Sequence, residues 1–569
     1  MFSITSDPRD TRVAYFSMEI ALEPAIPTYS GGLGVLAGDM LRSAADFAVP
    51  MVAVTLVHRK GYFDQILDKA GHQSEAPEPW DPGKHAELMS CSTTVTLEGR
   101  DVHVRAWRYA MQGHNGHIVP VYLLDTDCIE NAEWDRALTS VLYGGDAHYR
   151  LCQEIVLGIG GVRMLRCLGH SGLATFHMNE GHASMLTLAL LEEKLGHSNL
   201  AAASESDIRD VQQKCVFTTH TPVPAGHDQF PRELVARVLG AGRLEILEAT
   251  QCCPESVLNM TFLALRFSRY INGVAMHHGA VSHDMFPDYT VRAITNGVHA
   301  VTWTSPELCA LYDRHIPEWR RDNLYLRYAI GISREEIQAA HESAKLRLFR
   351  EISTRAGVAL DPNVFTIGFA RRATAYKRFD LLFARPDRLR AISEGPGALQ
   401  IVYGGRAHPQ DEAGKDQIRR VFEHAAALNS PRLKIAYLED YRMDWAKLLT
   451  AGVDLWLNTP LRPLEASGTS GMKAALNGVP SLSILDGWWI EGCLEGITGW
   501  AIGRNGEVRE SSEDESDSLC DKLAEIATLF YKRRRDYSTV MRGAIALNGS
   551  FFNSQRMLSQ YVANAYTIF

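Results

Sequence analysis

Two doubly wound α/β domains are the fold class this chain predicts, and three observations predict it. Short β-rich runs recur at αβ spacing, amphipathic helical patterns separate most of them, and unusual polar clusters fall at the carboxyl ends of the runs. Alternating strands and helices build parallel sheets with helices on both faces, and such sheets bind ligands beyond the strand carboxyl ends. In the first half the runs are Val13–Glu19, Met51–Val57, Ala174–Met178, Cys215–Thr219 and Val291–Thr295; in the second they are Phe365–Ala370, Leu399–Tyr403, Leu433–Tyr437, Leu455–Asn458 and Ser481–Ile484. A helix after the first strand is read from Leu33, Leu36, Ala37, Met40, Leu41 and Ala44, whose spacing forms one helical face. A second, rich in Glu, Ala, Lys and Leu, is expected from about Arg334 to Arg355. From Ala76 to Arg108 the chain reads as an insertion, where HAELMS and TTVTLEG predict a small antiparallel excursion. The two series place one domain at 1–325 and another at 326–569, with a ligand cleft between them and a last helix free to cross back.

Composition narrows the function classes. The 569 residues are 46% hydrophobic and carry a formal net charge of -9, with no long basic stripe, which disfavours nucleic acid as a main partner. The 10 cysteines are scattered without a C-x-x-C pair, and the adjacent Cys252 and Cys253 do not predict a structural bridge; this usage fits a reducing cytoplasm. MFSITSDPRD lacks a basic stretch followed by an apolar one, so no signal peptide is read. No run approaches about 18 apolar residues, so no membrane span is expected. The acidic stretch Glu507–Asp517 reads as a solvated loop or helix start, and Lys532–Arg535 as a solvated helix face.

Chemistry-bearing residues gather at strand ends. Ser30-Gly31-Gly32-Leu33-Gly34 opens the first helix; such a turn is either a plain tight turn or a set of N–H groups for a phosphate. Ala174–Met178 runs into Asn179-Glu180-Gly181-His182, and Cys215–Thr219 into His220-Thr221-Pro222. These residues lack the H-E-x-x-H spacing of a zinc protease, so no metal site is expected. Phe365–Ala370 ends in Arg371-Arg372, with Lys377-Arg378 close behind: four cations in eight residues. Arg offers a fixed fork for phosphate oxygens and Lys a point charge, whereas a helix start is the wrong end of the dipole for solvated cations. Gly404-Gly405-Arg406 and Tyr441-Arg442 end the next two strands. Glu465–Gly478 reads EASGTSGMKAALNG. Its Gly/Ser-rich turn leaves N–H groups open at a helix start, and Lys473, one turn inside, can hold a phosphate or join a carbonyl. It is not a Walker loop, which needs Gly-Lys-Ser/Thr after its glycines.

EASGTSGMK closely resembles the pyridoxal-phosphate lysine segment of the α-glucan (glycogen, starch, maltodextrin) phosphorylases. The resemblance extends from about Val13 to the closing Ser554-Gln555-Arg556 helix, and this chain looks like the short branch of that family. It implies a glycosyltransferase-B-like fold and pyridoxal 5′-phosphate carried by Lys473. It assigns Gly32, Trp303, Arg371, Tyr441, Arg442, Thr469 and Ser470 to the cofactor. It assigns Gly31, Leu33, His220, Asn296, Glu465, Ser467 and Gly468 to the sugar and substrate. Arg372 and Lys377 match the ligands of the transferred phosphate, and Lys473, Arg372, Lys377 and His220 form the implied catalytic set. The implied partners are an α-1,4-glucan or maltodextrin, inorganic phosphate and glucose 1-phosphate; the resemblance allows a homodimer. There are departures. The long members read glycine-asparagine where this chain has Ser470-Gly471, carry an aromatic where it has Ile20-Ala21, and differ over Val223–Gln229.

The reaction implied is retaining phosphorolysis of an α-1,4-glucan to α-glucose 1-phosphate. No acidic pair is singled out for a glycosidase mechanism. Two rivals stand beside this reading: a nucleotide-sugar glucan synthase of the same fold, which needs no pyridoxal lysine, and a non-catalytic glucan-binding relative, which needs neither Lys473 nor Arg372 nor Lys377. Only about a dozen residues precede the first predicted strand, so the nucleotide and phosphoserine control of the long members is expected to be absent.

Overall fold

A computed structural model of the chain describes residues 7–196, 200, 203–222, 227–503 and 511–566. Two compact units emerge: Met1–Phe63 with Pro77–Ile294 and Met557–Phe569, and Asp64–Ala76 with Thr295–Arg556. The chain therefore changes units at Ile294/Thr295 rather than near residue 325, and residues 64–76 belong to the second unit. The helix Ser554–Asn564 is shared, its residues from Met557 onward joining the first unit.

In the first unit the strands are β1 (Val13–Ser17) and β2 (Met51–Leu56); the second unit takes β3 (Asp64–Leu67) and β4 (Gln73–Ala76); the first resumes with β5 (Glu87–Leu97), β6 (Arg100–Gln112), β7 (Ile118–Asp125), β8 (Thr175–Asn179), β9 (Cys215–Thr218), β10 (Gln229–Pro231), β11 (Val257–Asn259), β12 (Tyr270–Gly273) and β13 (Val291–Ala293). Nine of them form one sheet in the order β13-β12-β9-β8-β1-β2-β7-β6-β5. All pairs from β13 to β7 are parallel; β6 and β5 add an antiparallel edge. The insertion is thus larger than expected and extends the main sheet. Winding reverses between β1 and β8, where Ser17 lies opposite Asn179.

Every residue of β1, β2, β7 and β8 is buried, as parallel strands covered on both faces require. Val13 and Tyr15 of β1 join the core layer under α1 (Gly32–Asp46); Ala14 and Phe16 join the layer on the opposite face. Tyrosine contacts pin the last helix and the residues after it here: Tyr561 Oη lies 3.0 Å from both Thr218 and Asn272, and Tyr566 Oη, beyond the helix end, lies 2.8 Å from His177 Nδ1.

The second unit carries β14 (Phe365–Ala370), β15 (Leu399–Gly404), β16 (Leu433–Leu438), β17 (Leu455–Asn458), β18 (Ser481–Ile484) and β19 (Gly499–Ile502). They form an all-parallel sheet in the order β16-β15-β14-β17-β18-β19. This is the doubly wound order, and its switch point lies between β14 and β17. The helix Arg334–Ala356 matches the expected one and ends at Gly357 in the left-handed region. Against it sits a fully buried ion cluster: Asp454 accepts from Lys345 Nζ at 2.6 Å and from Thr366 N at 2.8 Å, with His341 Nε2 at 3.1 Å.

The β3–β4 hairpin is an arm of the second unit. Gln65 Nε2 donates to Gly405 O and Gln73 Nε2 to Ala407 O, both at 2.9 Å. Asp440 N donates to Gln65 Oε1 at 2.9 Å, and Arg442 pairs with Asp64. The arm so caps the carboxyl ends of β15 and β16.

Of the cysteines, Cys91 on β5 and Cys167 lie within bonding distance, with Cα atoms 6.2 Å apart. The sequence, without a C-x-x-C signal, predicts no such pair; the two are 76 residues apart and are joined only by the fold. No helix among the described residues is long and apolar enough to cross a membrane.

Candidate active site

The switch point of the first unit gathers Glu19, the glycine-rich turn, Asn179, Glu180 and His220. Glu19, two residues beyond β1, is 2% exposed. Its Oε2 accepts from Ser30 N at 2.6 Å and Gly31 N at 3.2 Å, and its Oε1 accepts from Tyr143 Oη at 3.0 Å. The glycines of the turn and of α1 divide by role. A Cβ on Gly34 would lie 2.6 Å from Glu19 Oε2, and one on Gly38 2.1 Å from Ala21 O, so these two permit close packing. Around Gly31 and Gly32 a Cβ would meet nothing within 4 Å, so this part of the turn stands open. Ile20 and Ala21 are fully buried beneath it, with Ala21 N bonded to Gly34 O.

Glu180 has φ of 76°, a left-handed conformation rare for a residue with a side chain and one that collects at functional sites. Its carboxylate holds His220 N at 2.8 Å and Thr221 Oγ1 at 3.0 Å. His220 Nε2 sits 2.7 Å from Asn179 Oδ1, and Asn179 Nδ2 donates to Ser17 Oγ at 3.1 Å. With the amide oxygen as acceptor, Nε2 carries the ring proton. Burial lowers His220 to a pKa of about 4 against the partial offset of Glu180, so the ring is neutral at neutral pH. Of the 223–229 loop, residues 223–226 lie outside the described residues; Asp228 beyond them accepts from Arg150 at 2.7 Å.

The second unit gathers its polar residues at its own switch point. Arg371 Nη2 donates to Glu465 Oε2 at 2.5 Å, and Lys377 Nζ donates to the same oxygen. Two cations therefore share one carboxylate. Burial and the Arg371 charge outweigh Glu465 and bring Lys377 down to about 7. Burial alone would raise the Glu465 carboxyl, but Arg371 and Lys377 hold it below its ordinary value. Among the described residues the buried Arg371 Nε and Nη1, Ser467 Oγ, Thr374 Oγ1 and Asn458 Oδ1 have no hydrogen-bond partner. Arg372 is exposed at the end of β14. Arg378, the fourth cation of the run, turns the other way: it pairs with Glu515 and donates to Thr459 O and Pro460 O, bracing β17.

Lys473 lies on the seven-residue helix Ser470–Leu476, 7% exposed, with its ammonium 3.8 Å from the centroid of the Trp303 ring. Trp303 is itself held by Asn477, whose Nδ2 donates to Trp303 O at 2.8 Å. Thr469 precedes this helix without a side-chain capping bond, Gly468 has φ of 82°, and the Ser470 hydroxyl accepts from Trp456 Nε1 at 3.0 Å. A Cβ on Gly471 would lie 2.8 Å from the Trp488 ring. The Ser470-Gly471 departure thus has a packing reason: each residue meets a tryptophan. Asn296, in the second unit, is 3% exposed; its Oδ1 has no partner among the described residues and its carbonyl accepts from Arg556 at 2.9 Å. The Tyr441 ring covers Gly404, and Arg442 pairs with Asp64 and Asp440.

Sequence reasoning missed three carboxylate or amide groups here: Glu19, Asp486 and Asn458. Asp486, just past β18, is 2% exposed and accepts from Glu465 N and Gly487 N, both at 2.9 Å. Burial raises it to about 7. The available signal is position: Asn458 ends the apolar strand β17, and Glu19 and Asp486 each follow two residues after a buried strand. No group of three or more His, Cys, Asp or Glu among the described residues is arranged to hold a metal ion.

Two doubly wound units with polar residues at their switch points, the second also carrying a buried lysine and a cation cluster, are consistent with a glycosyltransferase-B-type α/β fold. The carbohydrate phosphorylase family model matches residues 241–496. The maltodextrin phosphorylase of Thermococcus litoralis is 37% identical, over 100% of this chain and 72% of its own length. The glycogen phosphorylase of Mycobacterium tuberculosis is 37% identical, over 98% of this chain and 71% of its own, and that of Aquifex aeolicus 34%, over 98% and 86%. This chain belongs to the carbohydrate phosphorylase family.

Proposed function

We propose that this chain phosphorolyses α-1,4-glucans such as glycogen or maltodextrin, releasing α-glucose 1-phosphate with retention and using pyridoxal 5′-phosphate on Lys473. One observation carries the reading. A buried lysine against an aromatic face shares a switch point with two cations that have a single carboxylate between them. Relatives named maltodextrin and glycogen phosphorylase supply the substrate class.

The residues fit the cofactor. Trp303 offers an apolar wall beside the lysine, and the unpartnered Arg371 nitrogens and Ser467 hydroxyl are buried donors that an anionic group would satisfy. Lys473, Trp303, Arg371, Tyr441, Arg442, Thr469 and Ser470 would hold it. When bound, the cofactor would supply a second phosphate group to the site.

The chain's own residues do the rest. Arg372 and Lys377 bind the substrate phosphate, and its negative charge returns Lys377 to its cationic form. Glu465, relieved of a cation, accepts sugar hydroxyls, as do Asn296 and the backbone around Ser467 and Gly468. His220, neutral and oriented by Asn179, would face the glucosyl unit, with the Leu33 amide toward the anionic group. The substrate phosphate gives its proton to the departing glucan oxygen, the glycosidic bond breaks, and a phosphate oxygen bonds the anomeric carbon on the same face. Cations fixed before the charge develops make this step electrostatic preorganisation.

Incubation with maltodextrins of graded length and inorganic phosphate tests the reading. Glucose 1-phosphate should accumulate only with phosphate present. Chain elongation from a nucleotide sugar, with no phosphate-dependent release, would establish the synthase instead; neither reaction would leave the glucan-binding relative.

A further inference from the structure

The glycine-rich turn is held by a device that lies outside the residues assigned above. We infer that Glu19 and Tyr143 form a positioning pair that fixes the Ser30–Leu33 backbone for an anionic substrate, an inference that deepens the phosphorolysis reading and rests on it.

The geometry is specific. The two N–H groups of the turn that precede α1, those of Ser30 and Gly31, both point at Glu19 Oε2. The other oxygen is fixed by Tyr143 Oη at 3.0 Å, and Ser30 Oγ adds contacts of 3.2 Å to both. The carboxylate is buried, so these donors replace its water. Tyr143 is fixed in turn: the Arg150 guanidinium lies 4.7 Å from its ring centroid, and Arg150 is anchored by Asp228 at 2.7 Å. Gly34 is needed because any side chain there would enter the Glu19 carboxylate.

The consequence is a division of the turn's amides. Glu19 consumes those of Ser30 and Gly31. The next two, of Gly32 and Leu33, begin α1 and have no carbonyl four residues back to bond. They stand beside the open space around Gly31 and Gly32. A carboxylate that takes the first pair fixes the direction of the second. Glu19 touches neither substrate nor cofactor in this scheme; it acts through the backbone. The Tyr143 hydroxyl keeps the carboxylate from rotating away.

A positioning role predicts a selective defect. Glu19→Gln and Tyr143→Phe should each raise KM for phosphate, and for glucose 1-phosphate in reverse, by about tenfold, the loss of one hydrogen bond to a charged group. KM for maltodextrin should stay within about twofold, since the sugar contacts are elsewhere. Amide hydrogen exchange gives a readout free of activity: Ser30 and Gly31 should lose protection in both variants, while the β1 amides keep theirs. KM values for phosphate and glucan rising together, or unchanged exchange at Ser30 and Gly31, would overturn the pair. Should the parent protein show no phosphorolysis, the functional reading falls, and exchange together with calorimetric binding of inorganic phosphate still decides the positioning claim.

Discussion

Lys377 and Glu465 form a buried ion pair at the switch point of the second unit's sheet, and the lysine is nonetheless poised near neutrality. Burial and the neighbouring Arg371 lower Lys377 to about 7, because both cations draw on the same carboxylate oxygen. Adding a phosphate dianion favours the charged lysine. Phosphate binding at pH 8 should therefore take up a proton, and affinity should fall as pH rises above about 7 once the ionisation of phosphate itself is accounted for. Calorimetry in two buffers of different ionisation enthalpy measures this directly. Equal heats in both buffers would mean that Lys377 does not meet the phosphate.

Arg372→Ala should lose turnover by about 100- to 1000-fold, the usual cost of removing one contact to a developing anion. Its exposure at the end of β14 means that fold and bound cofactor should survive. Near-normal phosphorolysis by this variant would place Arg372 on the surface only.

Asp486 makes a prediction about pH and stability. Its folded pKa is raised to about 7, so the folded state holds a proton that the unfolded chain releases near the ordinary Asp value. Its contribution is present at low pH and is lost as pH rises from about 4 to about 7. Asp486→Asn cannot ionise, so its melting temperature should gain on the parent over that interval. A constant difference between the two proteins across the interval would contradict the assignment.

Much of this architecture is legible in the sequence. Five strands of the second unit were readable as Val-, Ile- and Leu-rich runs, and Phe365–Ala370, Leu455–Asn458 and Ser481–Ile484 fall on their observed limits. β7 was missed because Pro120 interrupts an apolar run, and β12 and β19 because each is four residues long and carries a terminal glycine. The unit change at Ile294 was not legible, since no composition shift marks it. Nor was the hairpin arm: Gln65 and Gln73 gain their partners only where the fold sets Gly405 and Ala407 opposite them. The same limit applies to the site. Lys473, Arg371 and Glu465 belong to marked local patterns, whereas Glu19 and Asp486 gain meaning only from the backbone amides that distant parts of the chain bring to them.

The ion cluster behind the second sheet offers a test of stability. Asp454→Asn leaves Lys345 buried without a counter-charge and should destabilise the second unit by about 3–5 kcal/mol. Adding Lys345→Met should recover much of that loss, since an apolar side chain removes the stranded charge. Calorimetric unfolding of the single and double variants checks both. Equal melting of the parent and Asp454→Asn would show that Lys345 finds other compensation.

The central claim is that Lys473, packed on Trp303, is the reactive cofactor lysine. Borohydride reduction of the protein with bound pyridoxal phosphate, followed by peptide mapping, tests it most directly. The account predicts a pyridoxyl adduct on Lys473 and on no other lysine. An adduct elsewhere, or none on protein reconstituted with pyridoxal phosphate, would contradict it.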